Sequence, residues 1–296
     1  MFWPAVNVYY FTNSQIMDCT KGIFEILSIN KTEAILRKLE CFFVEYSSSF
    51  LTGESDFDRN IILKQEHSLR VAKEAAAIAN AEGFNPHDCI LAEISGLLHD
   101  IGRFEQYRKH RTFVDAKSEN HGKLGVRIIT ELKLLSELEQ PRRVELITAI
   151  SLHNRKNIAP AVKGRCLNFA RLLRDADKLD IMKVVLDYYS QDEVNASVTL
   201  DLVNSREITA KVKDALLRRE NPLIADFKTV TDFKLTQLSW VFDLNYQHSF
   251  NEFKKRGYHL TLKKHLPATP EVEEICQNIF AYLENACSSR VIASRH

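Results

Sequence analysis

Apolar residues recur at helical spacing along most of the chain, and few residues that break helices interrupt them. The 296 residues include only nine glycines and seven prolines. A many-stranded sandwich or barrel needs more turn residues than this, whereas long helices joined by short connections do not. Strand signals are weak throughout. The sequence therefore predicts an all-α fold.

The apolar stripes place the individual helices. Thr32 is a candidate N-cap of the first one, Gly83 is a natural stop for the second, and Asn85 before Pro86 is a good start signal for the third. Residues 103–117 lack periodicity and are predicted to form a loop, and residues 1–16 an irregular arm. The predicted helices cover 31–43, 66–82, 86–102, 118–135, 141–154 and 167–189, followed by helix-like blocks from 194 to 286 with breaks at Asn221-Pro222 and Leu266-Pro267.

Composition and charge exclude several classes of partner. The net charge is +1 and the charges are interspersed, so nothing global points to DNA, RNA or an anionic membrane. No segment is long and uncharged enough for a membrane span, and the apolar start MFWPAVNVYYFT lacks the basic region of a signal peptide. The six cysteines form no CxxC pair and are predicted to be free thiols. These features favour a cytoplasmic protein.

The dipeptide His99-Asp100 ends an apolar helix within AEISGLLHDIGRFEQ. Burying an ionised carboxylate without a partner is expensive, and a divalent cation is one partner that also accepts imidazole nitrogen. A lone pair of this kind has an ordinary alternative. His at a helix C-terminus can contact the last carbonyls, and Asp can cap the following turn.

Two further segments supply residues of the same chemistry. His67 lies upstream in QEHSLRVAKEA, and Asp177 and Asp180 lie downstream in LLRDADKLDIM. Asp177 and Asp180 are about one helical turn apart and can share one face. Aspartate is unfavourable in helix interiors. The three aspartates within six positions, Asp175, Asp177 and Asp180, therefore need an explanation. One alternative reason is pairing on a solvated face, with Arg174, Lys178 or Lys183.

In this combination the sequence resembles the HD-domain superfamily of metal-dependent phosphohydrolases. Its signature is a His on one helix, an adjacent His-Asp on a later helix and a distal Asp, which match His67, His99-Asp100 and Asp177. The pattern ADxL at 176–179 favours Asp177 for the last position, and Asp175 competes with it. The resemblance covers about 66–186. It implies an HD-type helical bundle around a metal site, with a domain at 17–190 and a C-terminal helical extension at 191–296.

His121 and His153 lie between the His-Asp pair and the distal Asp. The two-metal branch of the superfamily, which includes the HD-GYP proteins, places additional ligands there, and the HxxxG of His121 and Gly125 is similar to its segment. The chain lacks a GYP tripeptide, which argues against activity on cyclic dinucleotides. The alternative is that His121 is a first-turn helix residue and that the helix dipole favours His153 at a C-terminus.

The resemblance implies hydrolysis of a phosphate ester with one or two divalent ions, with manganese, iron or magnesium expected. The ion would polarise a phosphoryl oxygen and activate a water. Asp100 would bridge two ions, while Arg103 and Lys178, and less directly Arg70, would contact phosphate. Residues 107–117 are a possible lid, and Asp115 within it an acid or base. No residue is assigned to an organic cofactor, and the expected partner is a small phosphorylated substrate, with a nucleotide as first choice.

The sequence is also compatible with two other functions. The same six ligand positions are similar to those of a di-iron oxygenase branch of the superfamily, which cleaves C–C or C–P bonds with O₂. Alternatively, the chain is a non-catalytic nucleotide-sensing module whose C-terminal helices contact a partner. A homo-oligomer is compatible with either function.

Overall fold

The computed structural model describes residues 13–190 and 202–289, with side chains from residue 27 onward. Within these ranges the only β pairing is a parallel bridge between Val203 and Thr229, so the all-α prediction is confirmed. Short 3-10 turns lie at Asp115–Lys117, Ile224–Asp226 and Trp240–Asp243. The α-helices are α1 (Asn13–Ser48), α2 (Ser55–Ala81), α3 (Pro86–Leu98), α4 (Gly102–His110), α5 (His121–Glu131), α6 (Gln140–Leu152), α7 (Gly164–Tyr189), α8 (Ala210–Leu217), α9 (Val230–Ser239), α10 (Gln247–Lys255), α11 (Tyr258–Lys264) and α12 (Pro270–Ser288).

Helix α3 is the central helix of the first part of the chain. Asn85 caps it by accepting a hydrogen bond from the backbone N–H of Asp88, as the Asn-Pro signal predicted. Every residue from Leu97 to Ile101 is buried, and α2 packs closely along α3. A Cβ on Gly96 would lie 2.7 Å from the Cα of Ala72. This close approach brings the middle of α2 next to the end of α3.

The first helix corrects two predictions. It begins at Asn13 rather than at Lys31, so residues 13–16 do not belong to an irregular arm; the rest of that arm lies outside the described residues. Asn and Ser, at positions 13 and 14, are common at helix starts. Thr32 is not an N-cap but lies inside α1, where its hydroxyl donates to the carbonyl of Ser28 at 2.9 Å.

Helix α4 shows that the predicted loop at 103–117 was wrong over its first half. Phe104 and Tyr107 face the core, and this pair is too short a pattern to be recognised as a helix in the sequence. The ring of Tyr107 stacks against Phe57 at 5.1 Å and Phe113 at 4.6 Å between centroids. The start of the predicted lid is therefore part of the packed interior.

The C-terminal helices α8 to α12 join the same hydrophobic core. Polar contacts also connect the two parts, because the buried carboxylate of Asp175 on α7 accepts hydrogen bonds from the backbone N–H groups of Asn245 and Tyr246. Arg256 pairs with Glu74 on α2 at 2.7 Å. The proposed division between 17–190 and 191–296 stays a prediction.

Two predictions concern membrane spans and cysteines. No helix in the described parts of the chain is long and apolar enough to cross a membrane. The five cysteines whose side chains are described are free thiols: Cys41, Cys89, Cys166, Cys276 and Cys287.

Candidate metal centre

The six residues that the sequence singled out as ligands converge at one place from five helices or their ends. His67 lies in the middle of α2, His99 and Asp100 lie in the turn from α3 to α4, and Asp177 lies in the middle of α7. The two remaining histidines occupy helix termini: His121 is the first residue of α5 and His153 follows the last residue of α6. The four imidazoles and Asp100 are buried, whereas the side chain of Asp177 is 27% exposed.

One half of the centre contains His67, His99, Asp100 and Asp177. The Nε2 atom of His67 lies 3.2 Å from Oδ1 of Asp177 and 3.3 Å from Nε2 of His99. Oδ2 of Asp100 lies 3.7 Å from both of these imidazole nitrogens. Four potential ligand atoms therefore face a common point.

The other half contains His121, His153 and the second oxygen of Asp100. Oδ1 of Asp100 lies 3.3 Å from Nε2 of His121 and 3.6 Å from Nε2 of His153. The two imidazole nitrogens are 2.9 Å apart. This Oδ1 atom is buried and makes no hydrogen bond within the described part of the chain. Asp100 thus presents one oxygen to each half.

The tautomers of the imidazoles follow from what their Nδ1 atoms contact. Nδ1 of His99 lies 2.7 Å from the carbonyl of Gly96, and Nδ1 of His153 lies 2.7 Å from the carbonyl of Ile150. A carbonyl oxygen only accepts hydrogen bonds, so each Nδ1 carries the proton and each neutral ring has a lone pair at Nε2.

Carboxylates fix the other two rings in the same way. Nδ1 of His67 donates to Asp180 and Nδ1 of His121 donates to Asp115, each at 2.7 Å. All four Nε2 lone pairs therefore point at each other and at two carboxylates. Such an arrangement can hold a cation, and nitrogen and oxygen ligands without thiolate suit a divalent metal ion. The donor set fits the metal that the sequence predicted.

Burial favours the neutral rings that a metal requires. It lowers the pKa of His99 to about 4 and that of His121 to about 3. At His67 burial acts in the same direction, but the contacts with Asp177 and Asp180 outweigh it and raise the pKa above its usual value. Burial would raise the pKa of Asp100, yet Lys64 and the nearby imidazole and guanidinium groups hold it well below its usual range.

Lys64 belongs to this site and was missed in the sequence. Its Nζ lies 2.9 Å from Oδ2 of Asp100, and its side chain is only 12% exposed. Lys64 precedes His67 by three residues on α2, and this spacing places both on one helix face. The spacing is the signal that would have identified it.

The arginines predicted to contact phosphate already have protein partners. Nε of Arg103 lies 3.4 Å from Oδ1 of Asp100, while its Nη1 bonds to Gln106 and lies 3.2 Å from Asp115. Arg70 pairs with Asp180 at 2.6 Å. Arg103 therefore touches the centre directly, whereas Arg70 supports it through Asp180.

The aspartates at positions 175, 177 and 180 of helix α7 have three different roles. Asp177 enters the cluster, and Asp180 orients His67. Asp175, which competed with Asp177 as a ligand, instead binds the loop at Asn245, and burial raises its pKa to about 6. Lys178 pairs with Asp243 at 2.6 Å.

Comparison with known families agrees with this geometry. Residues 65–182 match the family model of the HD domain, which confirms the resemblance seen in the sequence. All six residues of the cluster lie inside the matched segment. No curated protein matches the chain, and no solved structure does.

Proposed function

We propose that this protein hydrolyses a phosphate ester with the help of one or two divalent metal ions, because residues 65–182 match the family model of the HD domain. HD domains are typical of metal-dependent hydrolases. The observation that carries the proposal is the convergence of four imidazole lone pairs on Asp100, with the other nitrogen of each ring already bonded.

The proposed ligands form two sets that share Asp100. His67, His99, Asp100 and Asp177 would hold one ion, and Asp100, His121 and His153 would be available for a second. His153 also lies close enough to His99 and Asp177 to share an ion with them. A divalent ion of manganese, iron or magnesium supplies Lewis acidity and lowers the pKa of a water at this position. Asp177 is the most exposed of the six, so we propose that the substrate approaches from its side.

Two cations beside Asp100 are suited to the negative charge of a phosphate ester. Lys64 and Arg103 lie within 2.9 Å and 3.4 Å of its carboxylate and carry fixed donors for phosphoryl oxygens. Lys178 is a weaker candidate, because it would have to leave Asp243 to reach a phosphate. The proposed substrate is a small phosphorylated metabolite, with a nucleotide as first choice.

The activity is tested on protein stripped of metal with a chelator and reloaded with manganese, iron or magnesium. We expect hydrolysis of p-nitrophenyl phosphate, its bis-ester or a nucleotide in the reloaded protein and none in the stripped one. Absence of hydrolysis across the panel with every metal would overturn the proposal.

The ligand assignment is tested by Asp100→Ala. Because Asp100 contacts both halves, we expect the variant to lose bound metal and activity together. Asp187→Ala is the matched control, since Asp187 is an exposed carboxylate on α7 and should leave metal content unchanged. Metal content at the wild-type level in Asp100→Ala, measured by elemental analysis, would show that the site is assigned wrongly.

The shared carboxylate of Asp100 also favours a second candidate, an HD-type di-iron oxygenase. Aerobically purified protein would then contain about two irons per chain and consume O₂ with a polyol or a phosphonate. A nucleotide that binds without turnover at any metal would instead indicate a sensor. Metal-dependent phosphate release distinguishes the proposed function from both.

A further inference from the structure

A basic cleft lies in the C-terminal part of the chain, at the start of α9 and the end of α11. Its volume is about 420 Å³. Four basic side chains line it: Arg206, Lys234, Lys264 and His265. The other lining residues are neutral and include Ser205 and Thr231, so no carboxylate lines the cleft.

The cations of the cleft also lack carboxylate partners among the side chains of residues 27–190 and 202–289. Arg206, Lys234 and Lys264 make no ion pair within 4.0 Å there, whereas the neighbouring Lys263 pairs with Glu273 at 2.8 Å. Asp232 lies in the first turn of α9, but its buried carboxylate is taken up by Thr209 and the backbone N–H groups of Lys228 and Thr229. Positive charge in the cleft is therefore not neutralised by the described residues.

Lys234 is the most informative of these residues because it is half-buried. Its Nζ donates to the carbonyl of His265 at 3.1 Å and lies 4.5 Å from the ring centroid of Tyr189. Burial lowers the pKa of Lys234. Removing a cation from water without a counter-charge is unfavourable, and a bound anion would offset that cost.

We propose that this cleft binds a small molecule through its phosphate groups. The volume lies in the range of small-ligand sites, and ammonium and guanidinium groups are the usual donors to phosphate oxygens. The hydroxyl of Thr231 donates to the carbonyl of Ser205, which joins the two lining segments. The site is built from side chains of separate helices rather than from one helix end.

The cleft is distinct from the metal centre. Tyr189, whose ring contacts Lys234, ends α7, and Asp177 lies twelve residues earlier on the same helix, which corresponds to about 18 Å. The proposal therefore does not rest on the phosphohydrolase assignment. Asp177 and Tyr189 lie on the same helix, α7. A molecule bound in the cleft would therefore lie next to the helix that carries a candidate metal ligand.

The proposal is tested by titrating the full chain with inorganic pyrophosphate in a calorimeter. Chelator is present so that metal ions contribute nothing. We expect binding that weakens as salt is added, since charge provides most of the affinity. Lys234→Met keeps the aliphatic packing and removes the charge, and Lys264→Ala changes an exposed residue; each should weaken binding about tenfold or more, the equivalent of one charged hydrogen bond.

Two controls separate this site from other basic surfaces. Lys211→Ala, an exposed lysine on α8, should bind pyrophosphate as the wild type does. Lys38→Ala, an exposed lysine on α1, should also leave this affinity unchanged. The proposal is overturned if the wild type does not bind pyrophosphate, or if Lys234→Met and Lys264→Ala bind it with wild-type affinity.

Discussion

Each imidazole of the metal centre is held by its second nitrogen, and two of the four partners are side chains. Asp115 bonds to His121 and Asp180 to His67, whereas His99 and His153 use backbone carbonyls. Such outer partners fix the tautomer and orientation of a ligand and raise its basicity. Asp115 is therefore placed to orient His121, a different role from the acid or base that its sequence position suggested.

The two carboxylates provide a prediction that separates the halves of the centre. In Asp115→Asn we expect metal affinity to fall by about 10- to 100-fold in the half that contains His121, with the half around His67 retained. Asp180→Asn should have the opposite selectivity. Titration of metal-free protein with manganese measures the affinity of each half. Equal losses of metal affinity in the two halves of either variant would contradict the division of the centre at Asp100.

The candidate ligands could be recognised in the sequence because they follow local patterns, whereas the contacts that support them could not. His99-Asp100 follows an apolar run, and Asp177 lies in ADxL, so both are visible in the sequence. The pairing of Lys178 with Asp243 joins residues far apart in the chain, and no periodicity reports it. The role of Lys178 as a phosphate contact therefore stays a prediction, and its ion pair with Asp243 argues against that role.

At the scale of helices, the approach of α2 to α3 sets the distance between His67 and His99. Gly96 lies at the closest point, where an added Cβ would be 2.7 Å from both the Cα of Ala72 and the carbonyl oxygen of Val71. Backbone atoms cannot move aside as a flexible side chain can. The helices would have to separate, and the two imidazoles would separate with them.

We therefore predict that Gly96→Ala destabilises the fold by about 1–3 kcal/mol, the usual cost of overpacking. Gly125→Ala on α5 is the matched control. Its Cβ would meet the side chain of Ile101 at 3.4 Å, and alanine favours a helix by up to about 1 kcal/mol over glycine. Urea unfolding of the two variants measures the difference, and equal stability would argue against the close packing of α2 on α3.

Helix positions were easier to predict than helix bounds. The Asn85 cap and the stop at Gly83, where φ is +75°, depend on single residues and were correct. Helix α2, by contrast, begins at Ser55 rather than Glu66, because Phe57 and Ile61 extend its buried face toward the N-terminus. Helix α4 was missed because Phe104 and Tyr107 are the only large apolar residues on its buried face, which otherwise consists of Gly102 and Gln106.

At the scale of the whole molecule, Arg165 connects three helices around the core. From the first turn of α7 it contacts Asp88 on α3 at 2.6 Å and Glu145 on α6 at 2.7 Å. Burial would raise the pKa of Asp88, but the contacts with Arg165 hold it well below the usual value. A carboxyl whose pKa is lowered on folding contributes stability above its unfolded pKa and loses that contribution as the pH falls through its folded pKa.

Asp88→Asn should therefore lower the free energy of unfolding at pH 7 and have little effect in strong acid. Bonds to charged groups contribute about 1.5–3 kcal/mol, and the lower end applies because Arg165 is 39% exposed and partly screened. The difference from wild type should shrink once the pH falls below 3.8, the ordinary pKa of the carboxyl. Asp56→Asn, at an exposed position, should change nothing, and a constant difference for Asp88→Asn between pH 7 and pH 3 would exclude the charge as its cause.

The C-terminal part of the molecule was the least predictable from sequence. It has no recognised motif, and its position depends on pairs that are distant in the chain, such as Asp175 with Asn245 and Glu74 with Arg256. Helix-like blocks indicated that it is helical. They could not indicate that it packs on α2 and α7.

The hydrogen bonds of Asp175 indicate which boundaries a fragment of this chain should have for expression. A fragment limited to 65–182 would keep every candidate ligand but lose the three donors on Asn245 and Tyr246 that satisfy a wholly buried carboxylate. It would also uncover Phe104, which α1 shields through Phe43. The boundaries of the family match are thus poor cloning boundaries, and we expect higher yield and solubility when the flanking helices are kept.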